Sequence, residues 1–470
     1  MTRQTSLFYV AFEHEASLIK DDLLDEVDML LDDEELVDAV RQALAKRSPR
    51  SRMTGRQGIA ADRLLRCAVL RQIKGWSLRE LQRELRASLL YRHFTRFDHD
   101  RIPNYTTFCR CFAVIGEEGV RSIHTRVVEK AQHRGVASGR RLRTDSTVVE
   151  SNIHYPTDSA LLADGLRVLT RTLGRVAEEC ARGAVKVIDH KRAAKYRVLE
   201  ITRAAKAFTE RSRARLKEGY GKLLGLTRRV VREAEQTCTK IRKGKLRVLG
   251  SARRVAVLSA QLDHFVPLVK RVITQTKARV FGGDVHVDGK IVSIFEEHSQ
   301  VIRKGKVAKP TEFGRLVRLD EVEGGIVSNY DVKEGNPADA LDFLPAIEAH
   351  KTIFGRVPDM ATADRGYFSA TNERGAKELG VRNVVLPARG PSSKARRKVQ
   401  KQRAFRRALR WRGGIEARIG TLKHRYGMDR ARSKGDCGIK RDVGWSVVAN
   451  NLIAIARHDS KKSRAQRAKT

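Results

Sequence analysis

The sequence predicts an α/β protein whose mixed sheet is interrupted by a helical insertion and preceded by an all-α N-terminal domain. Residues 59–135 have helical periodicity, and residues 140–149 then form a short β-branched run. Residues 160–278 carry apolar seams at spacings of three and four, which is typical of packed helices. Alternating apolar and polar residues return after residue 284, which indicates more strands of the same sheet.

The charge balance indicates a polyanionic partner. Lys and Arg number 95 against 55 Asp and Glu, which gives a net charge of +40. Nucleic acid is the usual partner for such an excess. There is no apolar run of membrane length, no signal peptide and no lipidation motif. We therefore expect a cytoplasmic, nucleoid-associated protein without a membrane partner. The absence of a GxxxxGK[ST] loop argues against an ATP-driven motor.

The N-terminal arm, residues 1–50, contains an acidic stretch. Residues 20–38 carry ten acids and one lysine, with leucines at helical spacing. This pattern predicts one amphipathic helix. It is either an ordinary surface helix or a strip that docks on a basic face of the same chain or of a second subunit.

The segment 51–135 follows a linker at 50–58 and is predicted to be a helical DNA-binding domain. One helix stops at Lys74-Gly75, and Ser77 with Glu80 forms a capping box for the next. A helix, a short glycine turn and a capped helix are typical of helix-turn-helix modules, although a small helical bundle has the same pattern. Arg79 and Arg83 then lie along one side of the second helix, facing either DNA or solvent.

The α/β core is predicted in two parts, and a strand at 140–149 is expected to end near Asp145. Pro267 should kink or break one helix of the insertion. Strands are expected at 284–297 and 314–332, and a short strand is expected to end at Asp364. The predicted segments are 136–159 for the first part of the core, 160–280 for the helical insertion, 281–460 for the remaining core and 461–470 for a basic tail.

Three acids stand at positions suited to catalysis. Asp145 and Asp364 lie at predicted strand ends, and Glu416 lies one turn into a helix after Gly413-Gly414. Three carboxylates in a highly basic protein suggest a two-metal phosphoryl-transfer site for Mg²⁺ or Mn²⁺. Each acid also has a simpler explanation. Asp145 suits a turn, Asp364 can pair with Arg365, and Glu416 can pair with Arg412.

The pattern Arg412-x₃-Glu416-x₆-Lys423 resembles the R-E-K portion of the Y-R-E-K signature of DDE insertion-sequence transposases. The D-S-T at Asp145 and the D-R-G-Y at Asp364 precede it in that family's order. Leu409 stands where the signature has Tyr. The helical insertion follows the first Asp, whereas some relatives carry an insertion between the second Asp and the Glu.

The resemblance implies an RNase H-like core and a cut-and-paste transposase. Asp145, Asp364 and Glu416 would hold two Mg²⁺ ions, which Mn²⁺ can replace. Water would cut the DNA at the transposon end, and the freed 3′-OH would attack target DNA without ATP. Arg412 and Lys423 would bind phosphates, and Arg418 is a further candidate. Joining two double-stranded inverted-repeat ends to a target implies a homodimer on DNA.

Three other functions fit parts of the sequence. A nuclease or resolvase of the same RNase H-like class would keep the three acids. A non-catalytic DNA-binding regulator derived from a transposase would keep the basic domains. A polycationic RNA-associated protein is a third alternative, although no RRM-like or KH-like motif is present. Trp411 either stacks on a displaced base or packs within the protein.

Overall fold

The computed structural model describes residue 19 and residues 21–46, 58–284, 287–303, 310–391 and 393–467, with the backbone alone for 463–467. These residues form two compact units. The first contains the described residues up to Asn152 and from Ile302 onward, and the second contains Ile153–Val301. Within these residues the chain is a mixed α/β protein with a mixed sheet, as predicted. Residues 1–18, residues 50–57 of the predicted linker and the end of the predicted basic tail (468–470) lie outside the described residues.

The acidic stretch forms two helices, α1 (Asp22–Leu31) and α2 (Glu34–Ala45), so the prediction of a single helix is wrong. Asp33 separates the two helices. Its carboxylate accepts hydrogen bonds from the backbone N–H groups of Glu35 and Leu36, which makes it the N-cap of α2. The backbone of Asp33 is extended, with φ of −109° and ψ of 116°, which interrupts the helical conformation between α1 and α2.

The acidic face docks on basic residues of the same chain. Asp28 lies 3.1 Å from the buried Arg66 and 2.8 Å from Arg96. Asp33 lies 2.5 Å from the ammonium group of Lys130. Of the alternatives for the acidic stretch, the structure shows docking on a basic face of the same chain.

The helices that follow agree with the predicted helix, turn and capped helix. Gly75 ends the first of them in the left-handed conformation, with φ of 69°. Ser77 and Glu80 form both hydrogen bonds of the capping box. The four helices are α3 (Ala61–Lys74), α4 (Leu78–Ala87), α5 (Leu89–Phe94) and α6 (Tyr105–His133).

Strand β1 (Arg141–Glu150) precedes the second unit, which is helical. Its helices are α7 (Asp158–Glu179), α8 (Lys191–Ala204), α9 (Glu210–Arg242) and α10 (Ala252–Gly282). The helix α10 continues through Pro267, so the predicted break is wrong. A side chain at Gly165 would lie 2.6 Å from Val269, which shows how closely α7 and α10 pack around the proline. This packing stabilises the helix despite the hydrogen bond that proline cannot donate.

The strand predicted at 284–297 is wrong for the described residues of that range, because no strand occurs there. The Gln275 side chain accepts a hydrogen bond from the backbone N–H of Ile291 at 2.9 Å and donates to its carbonyl at 3.0 Å. The Ser293 hydroxyl accepts from the N–H groups of Phe295 and Glu296. Side chains therefore satisfy backbone groups that a sheet would otherwise pair.

The sheet contains β1 and five further strands, β2 (Gln300–Ile302), β3 (Glu312–Glu321), β4 (Val327–Val332), β5 (Met360–Thr362) and β6 (Asn383–Val385). Their order in the sheet is β2-β3-β1-β5-β6, with β4 also paired to β3. Neighbours β1 and β3 are antiparallel, as are β3 and β4, whereas β5 is parallel to both β1 and β6. The predicted strands around Gly324-Gly325 and before Asp364 are confirmed.

The predicted end of β1 near Asp145 is wrong, because Asp145 is the fifth of ten residues. Strand β3 pairs with β1 from Arg143 to Glu150 and keeps it extended. Strand β5 pairs with β1 only as far as Arg143. Asp145 therefore lies where β1 loses one of its two neighbouring strands.

Five helices complete the first unit. They are α11 (Phe343–Phe354), α12 (Ala370–Glu378), α13 (Lys394–Lys401), α14 (Arg403–Tyr426) and α15 (Asp436–Arg467). Asn451 on α15 accepts from the N–H of Val327 and donates to its carbonyl, which anchors α15 to β4. Apolar side chains of α1 to α6, the sheet and α15 form one continuous buried cluster.

Substitutions at Asp33 should separate its capping role from its charge. Asp33→Asn keeps an N-cap but removes the ion pairs to Lys130 and Arg126, and Asp33→Ala should cost about 1 kcal/mol more because the cap is also lost. Burial raises the pKa of Asp33, but the Lys130 and Leu36 hydrogen bonds outweigh burial and lower it below 3.8.

The charge at Asp33 therefore contributes stability above pH 3.8, and this contribution disappears as the pH falls through the lowered pKa. Urea denaturation should show the full difference between wild type and Asp33→Asn at pH 7 and a smaller difference below pH 3.8. A difference that does not change with pH would contradict this assignment.

Candidate active site

Asp145 projects from β1 toward α14. Its carboxylate accepts a hydrogen bond from the N–H of Ser146 at 2.8 Å, and its side chain is 15% exposed. On the same strand, Arg143 and Asp145 lie on one face because side chains alternate along β1. Arg143 contacts α14, so this face is the one that α14 covers.

Asp364 follows β5, as many residues past the last β1–β5 residue pair as Asp145 is on β1. Thr362 is the register partner of Arg143 in the parallel pair, and Asp364 and Asp145 each lie two residues further along. Adjacent strands are about 4.8 Å apart, so the two aspartates start from neighbouring backbone positions. Asp364 caps a 3₁₀ turn (Arg365–Tyr367) by accepting from the N–H of Gly366 at 2.7 Å.

Glu416 lies on α14, one helical turn after Arg412. The Arg412 guanidinium donates to Glu416 at 2.9 and 3.0 Å and lies 3.9 Å from the Asp145 carboxylate. The Glu416 side chain is 65% exposed. The structure therefore brings Asp145 and Glu416 to the same cation, and the predicted Arg412–Glu416 pair is present.

An ion-pair network below these residues holds α14 on the sheet. Glu321 on β3 is fully buried and accepts from Arg143 at 2.6 and 2.9 Å and from Arg418 at 3.1 Å. Arg143 also donates to the carbonyl of Trp411, and Arg418 donates to Asn450 on α15 at 2.9 Å. We refer to Arg143, Glu321 and Arg418 as the buried ion network.

Trp411 packs within the protein, which is the second of its two alternatives. The guanidinium groups of Arg141 and Arg143 lie 5.0 and 4.7 Å from its ring centroid. This is the geometry of cation–π contacts. These contacts add to the attachment of α14 to β1.

Gly414 allows the close approach of α14 to β1. A Cβ atom at this position would lie 2.3 Å from a guanidinium nitrogen of Arg143. At the neighbouring Gly413, a Cβ atom would meet nothing within 4 Å. Of the two glycines, only Gly414 is required by packing.

Asp339 is a carboxylate near the site that sequence reasoning missed. It accepts a hydrogen bond from the hydroxyl of Ser146 at 2.5 Å. Carboxylate oxygens of Asp364 and Asp339 lie 2.9 and 3.2 Å from the position that a Cβ of Gly366 would take. Asp339 starts a 3₁₀ turn after Asn336-Pro337, so its sequence context indicates only a helix start.

Tyr367 is buried beneath these acids. Its pKa is raised well above the usual value, first by burial and then by the charges of Asp339 and Asp145. The raised pKa keeps the phenol neutral at physiological pH. Negative charge in this region therefore comes from carboxylates alone.

In the part of the chain that the structure describes, no three His, Cys, Asp or Glu side chains are grouped closely enough to hold a metal ion. Asp145 and Asp364 each lie two residues beyond the last residue pair of β1 and β5, and Asp145 and Glu416 both contact Arg412. The structure does not bring all three predicted carboxylates together at one point.

The predicted DNA-binding residues occupy different settings. Arg418 belongs to the buried ion network, and Lys423 lies seven residues after Glu416 on α14. On α4, Arg79 stacks on Tyr105 at 4.7 Å, and Arg83 pairs with Glu84 while its side chain stays 70% exposed. Arg79 and Arg83 line an open cavity of about 420 Å³ together with Gln82, Arg86 and Ala87.

Residues 12–113, about a fifth of the chain, match the family model described as "Transposase domain (DUF772)". The matched range runs from before α1 into the first part of α6. The match supports a transposase family, suggests a transposase function and implies DNA binding. No significant match was found among curated proteins or among solved structures. None of the helices in the described ranges combines the length and apolar character needed to span a bilayer.

Glu321→Gln should destabilise the protein strongly. It removes the charge that compensates Arg143, and breaking a buried ion pair on one side costs about 3–5 kcal/mol. Glu118→Gln is the matched control, because Glu118 pairs with Lys46 on the surface and is 85% exposed. Urea denaturation at pH 7 should show a large loss for Glu321→Gln and essentially none for the control. Equal effects would show that the buried ion network does not hold the fold.

The two glycines of α14 should respond in opposite directions to alanine. Gly414→Ala places a methyl group against Arg143, whose guanidinium is held by Glu321 and Trp411, and should cost about 1–3 kcal/mol. Gly413→Ala meets open space in mid-helix and should stabilise by about 0.5–1 kcal/mol. Thermal denaturation measures both, and stabilisation by Gly414→Ala would contradict the close approach.

Proposed function

We propose that the chain is a DDE transposase of an insertion sequence, which cuts transposon ends and joins them to target DNA by two-metal phosphoryl transfer. The observation that carries the proposal is the position of the carboxylates. Asp145 lies on β1 and Asp364 lies two residues beyond the end of the parallel strand β5, each two residues past the paired Arg143 and Thr362. The Arg412 guanidinium on α14 contacts both Asp145 and Glu416. The three carboxylates are the acids of the D-D-E resemblance.

The strand order supports an RNase H-like core. Strands β4, β3 and β1 form an antiparallel meander, and β5 and β6 continue the sheet in parallel with β1. The helical second unit is inserted between β1 and β3, so it lengthens the chain without changing the order of these strands. The sequence predicts a helical insertion at 160–280, within the range of this unit.

The proposed ligands are of the chemical type that a hard divalent cation takes, and the ion would have to draw together carboxylates that the described structure does not group at one point. Asp145, Asp364 and Glu416 offer carboxylate oxygens, which are the ligands that Mg²⁺ and Mn²⁺ prefer. The Arg412 guanidinium already bridges Asp145 and Glu416, so these two carboxylates are positioned to share a positive charge. When bound, two such ions would stabilise charge on the attacking and leaving oxygens of the DNA phosphate.

The chain's own residues would orient the DNA. Arg412 is 18% exposed, and Lys423 follows on the same helix, so both are candidates for phosphates near the cut end. Arg79 and Arg83 offer a second basic surface on α4. The ion pairs of Arg418 with Glu321 favour a structural role for that residue, and its DNA contact stays a prediction. Handling two transposon ends together implies a homodimer on DNA.

Neutral substitutions of the three acids should abolish Mg²⁺-dependent strand cleavage and keep DNA binding. Removing a residue that only supports a metal ligand typically lowers metal affinity or activity about 10–100-fold. The three acids are proposed as the ligands themselves, so Asp145→Asn, Asp364→Asn and Glu416→Gln should each lower the cleavage rate by more than about 100-fold. Asp359→Asn is the matched control, because Asp359 lies just before β5 and pairs only loosely with Arg382. Cleavage and strand joining are measured on DNA that carries the repeats flanking the reading frame.

Different outcomes distinguish the alternatives. Cleavage without joining of the freed 3′-OH would indicate a nuclease or resolvase. Tight DNA binding by the wild type without cleavage would indicate a non-catalytic regulator. Full activity of Glu416→Gln would remove Glu416 from the site.

A further inference from the structure

The second unit carries a strongly basic helical hairpin. It consists of α8, the connection 205–209 and the first residues of α9, and we refer to residues 191–217 as the basic hairpin. This stretch contains ten Lys or Arg residues and two acids, Glu200 and Glu210. Its charge density exceeds that of the chain as a whole, so it is the first place to seek a contact with a polyanion.

The arms of the basic hairpin are packed against each other. Ile201 on α8 is 3% exposed, and a Cβ atom at Gly219 on α9 would lie 2.9 Å from its side chain. The connection ends in an N-cap, because the Thr209 hydroxyl accepts from the N–H of Ser212 at 3.2 Å. The basic side chains at the tip therefore project from a defined scaffold.

Most of the charge on the basic hairpin is exposed and not neutralised within the protein. Arg197 pairs with Glu200, and Lys191 pairs with Asp189. The other basic side chains are exposed and form no ion pair with a described acid. They are Arg192, Lys195, Arg203, Lys206, Arg211, Arg213, Arg215 and Lys217.

Large apolar side chains are exposed among these cations. Phe208 in the connection is 86% exposed, and Tyr196 and Leu199 on α8 are 56% and 47% exposed. Phe208 is the most exposed of the large apolar side chains among the described residues. Exposed aromatic rings between basic residues are typical of proteins that grip phosphates and place a ring against bases or between base steps.

We propose that the basic hairpin binds duplex DNA, with the arginines of α9 on the phosphate backbone and Phe208 inserted at a distorted base step. The inference rests on the proposed function for the identity of the polyanion. It goes further by assigning a DNA contact to the insertion, which lies outside the matched domain and outside the acids and cations of the candidate active site. The net positive charge selects a polyanion, and the ring at the tip selects one with stackable bases.

Binding is tested with the full-length protein in EDTA, so that no strand is cut. Fluorescence anisotropy of a labelled duplex is followed over a range of salt concentrations. The triple variant Arg211→Ala/Arg213→Ala/Arg215→Ala should weaken binding and flatten the salt dependence by about 0.9 for each lost phosphate contact. Phe208→Ala should weaken binding about 5- to 100-fold with little change in the salt slope, because it removes an apolar contact.

The matched control lies on the same helix. Arg228→Ala/Arg229→Ala/Arg232→Ala removes three exposed arginines of α9 that lie more than ten residues beyond the hairpin tip. This triple should retain most of the affinity and the salt slope. Circular dichroism and the melting temperature establish that every variant is folded.

The outcomes are distinguishable from failure of the proposed function. If wild type does not bind DNA, the proposed function and this inference both fall. If wild type binds and the hairpin triple binds equally well, or if the control triple weakens binding as much, only this inference is overturned. If the hairpin triple loses binding to anionic lipid vesicles but keeps its binding to duplex DNA, this inference is overturned as well.

Discussion

The buried ion network of Arg143, Glu321 and Arg418 is the constraint on which the candidate site depends. It joins β1, β3 and α14, and Arg418 extends it to α15 through Asn450. A fully buried carboxylate between two guanidinium groups is costly to form and more costly to break on one side. The network positions α14, because it sets where the helix lies along β1 and which of its faces meets the strand that carries Asp145.

Close packing between α14 and β1 adds to the effect of the buried ion network on the position of α14. Arg143 fills the space beside Gly414 and donates to the carbonyl of Trp411, and Arg141 and Arg143 stack on the Trp411 ring. Arg412 and Glu416 are then held on the exposed side of α14, next to Asp145. The same helix thus uses Arg418 for architecture and keeps Arg412 beside Asp145 and Glu416, where we propose that it meets the substrate. Composition cannot distinguish these two uses, since every one of these residues is a cation in a basic segment.

Acids and cations are distributed unevenly over the described residues. This distribution lets a highly basic chain form well-packed units. Asp28 on α1 and Asp33 at the start of α2 neutralise the buried Arg66 and the partly buried Lys130 of the helices they cover. In the second unit, the basic hairpin keeps most of its charge exposed. Internal acids therefore serve folding where helices pack, and cations without acid partners remain where a polyanion can reach them.

Residue pattern alone established much of this protein. Helical seams, the capping box at Ser77, the β3–β4 hairpin, the strand before Asp364 and the helical nature of the insertion all follow from local periodicity and turn chemistry. The pattern failed where side chains replaced sheet hydrogen bonds near Ile291, where Asp33 divided the acidic segment, and where packing carried α10 through Pro267. Asp339 and the buried ion network depended on tertiary structure, because contacts between residues far apart in sequence leave no local signal. The mid-strand position of Asp145 and its bridge to Glu416 through Arg412 depended on it as well, since register and helix rotation are set by packing partners.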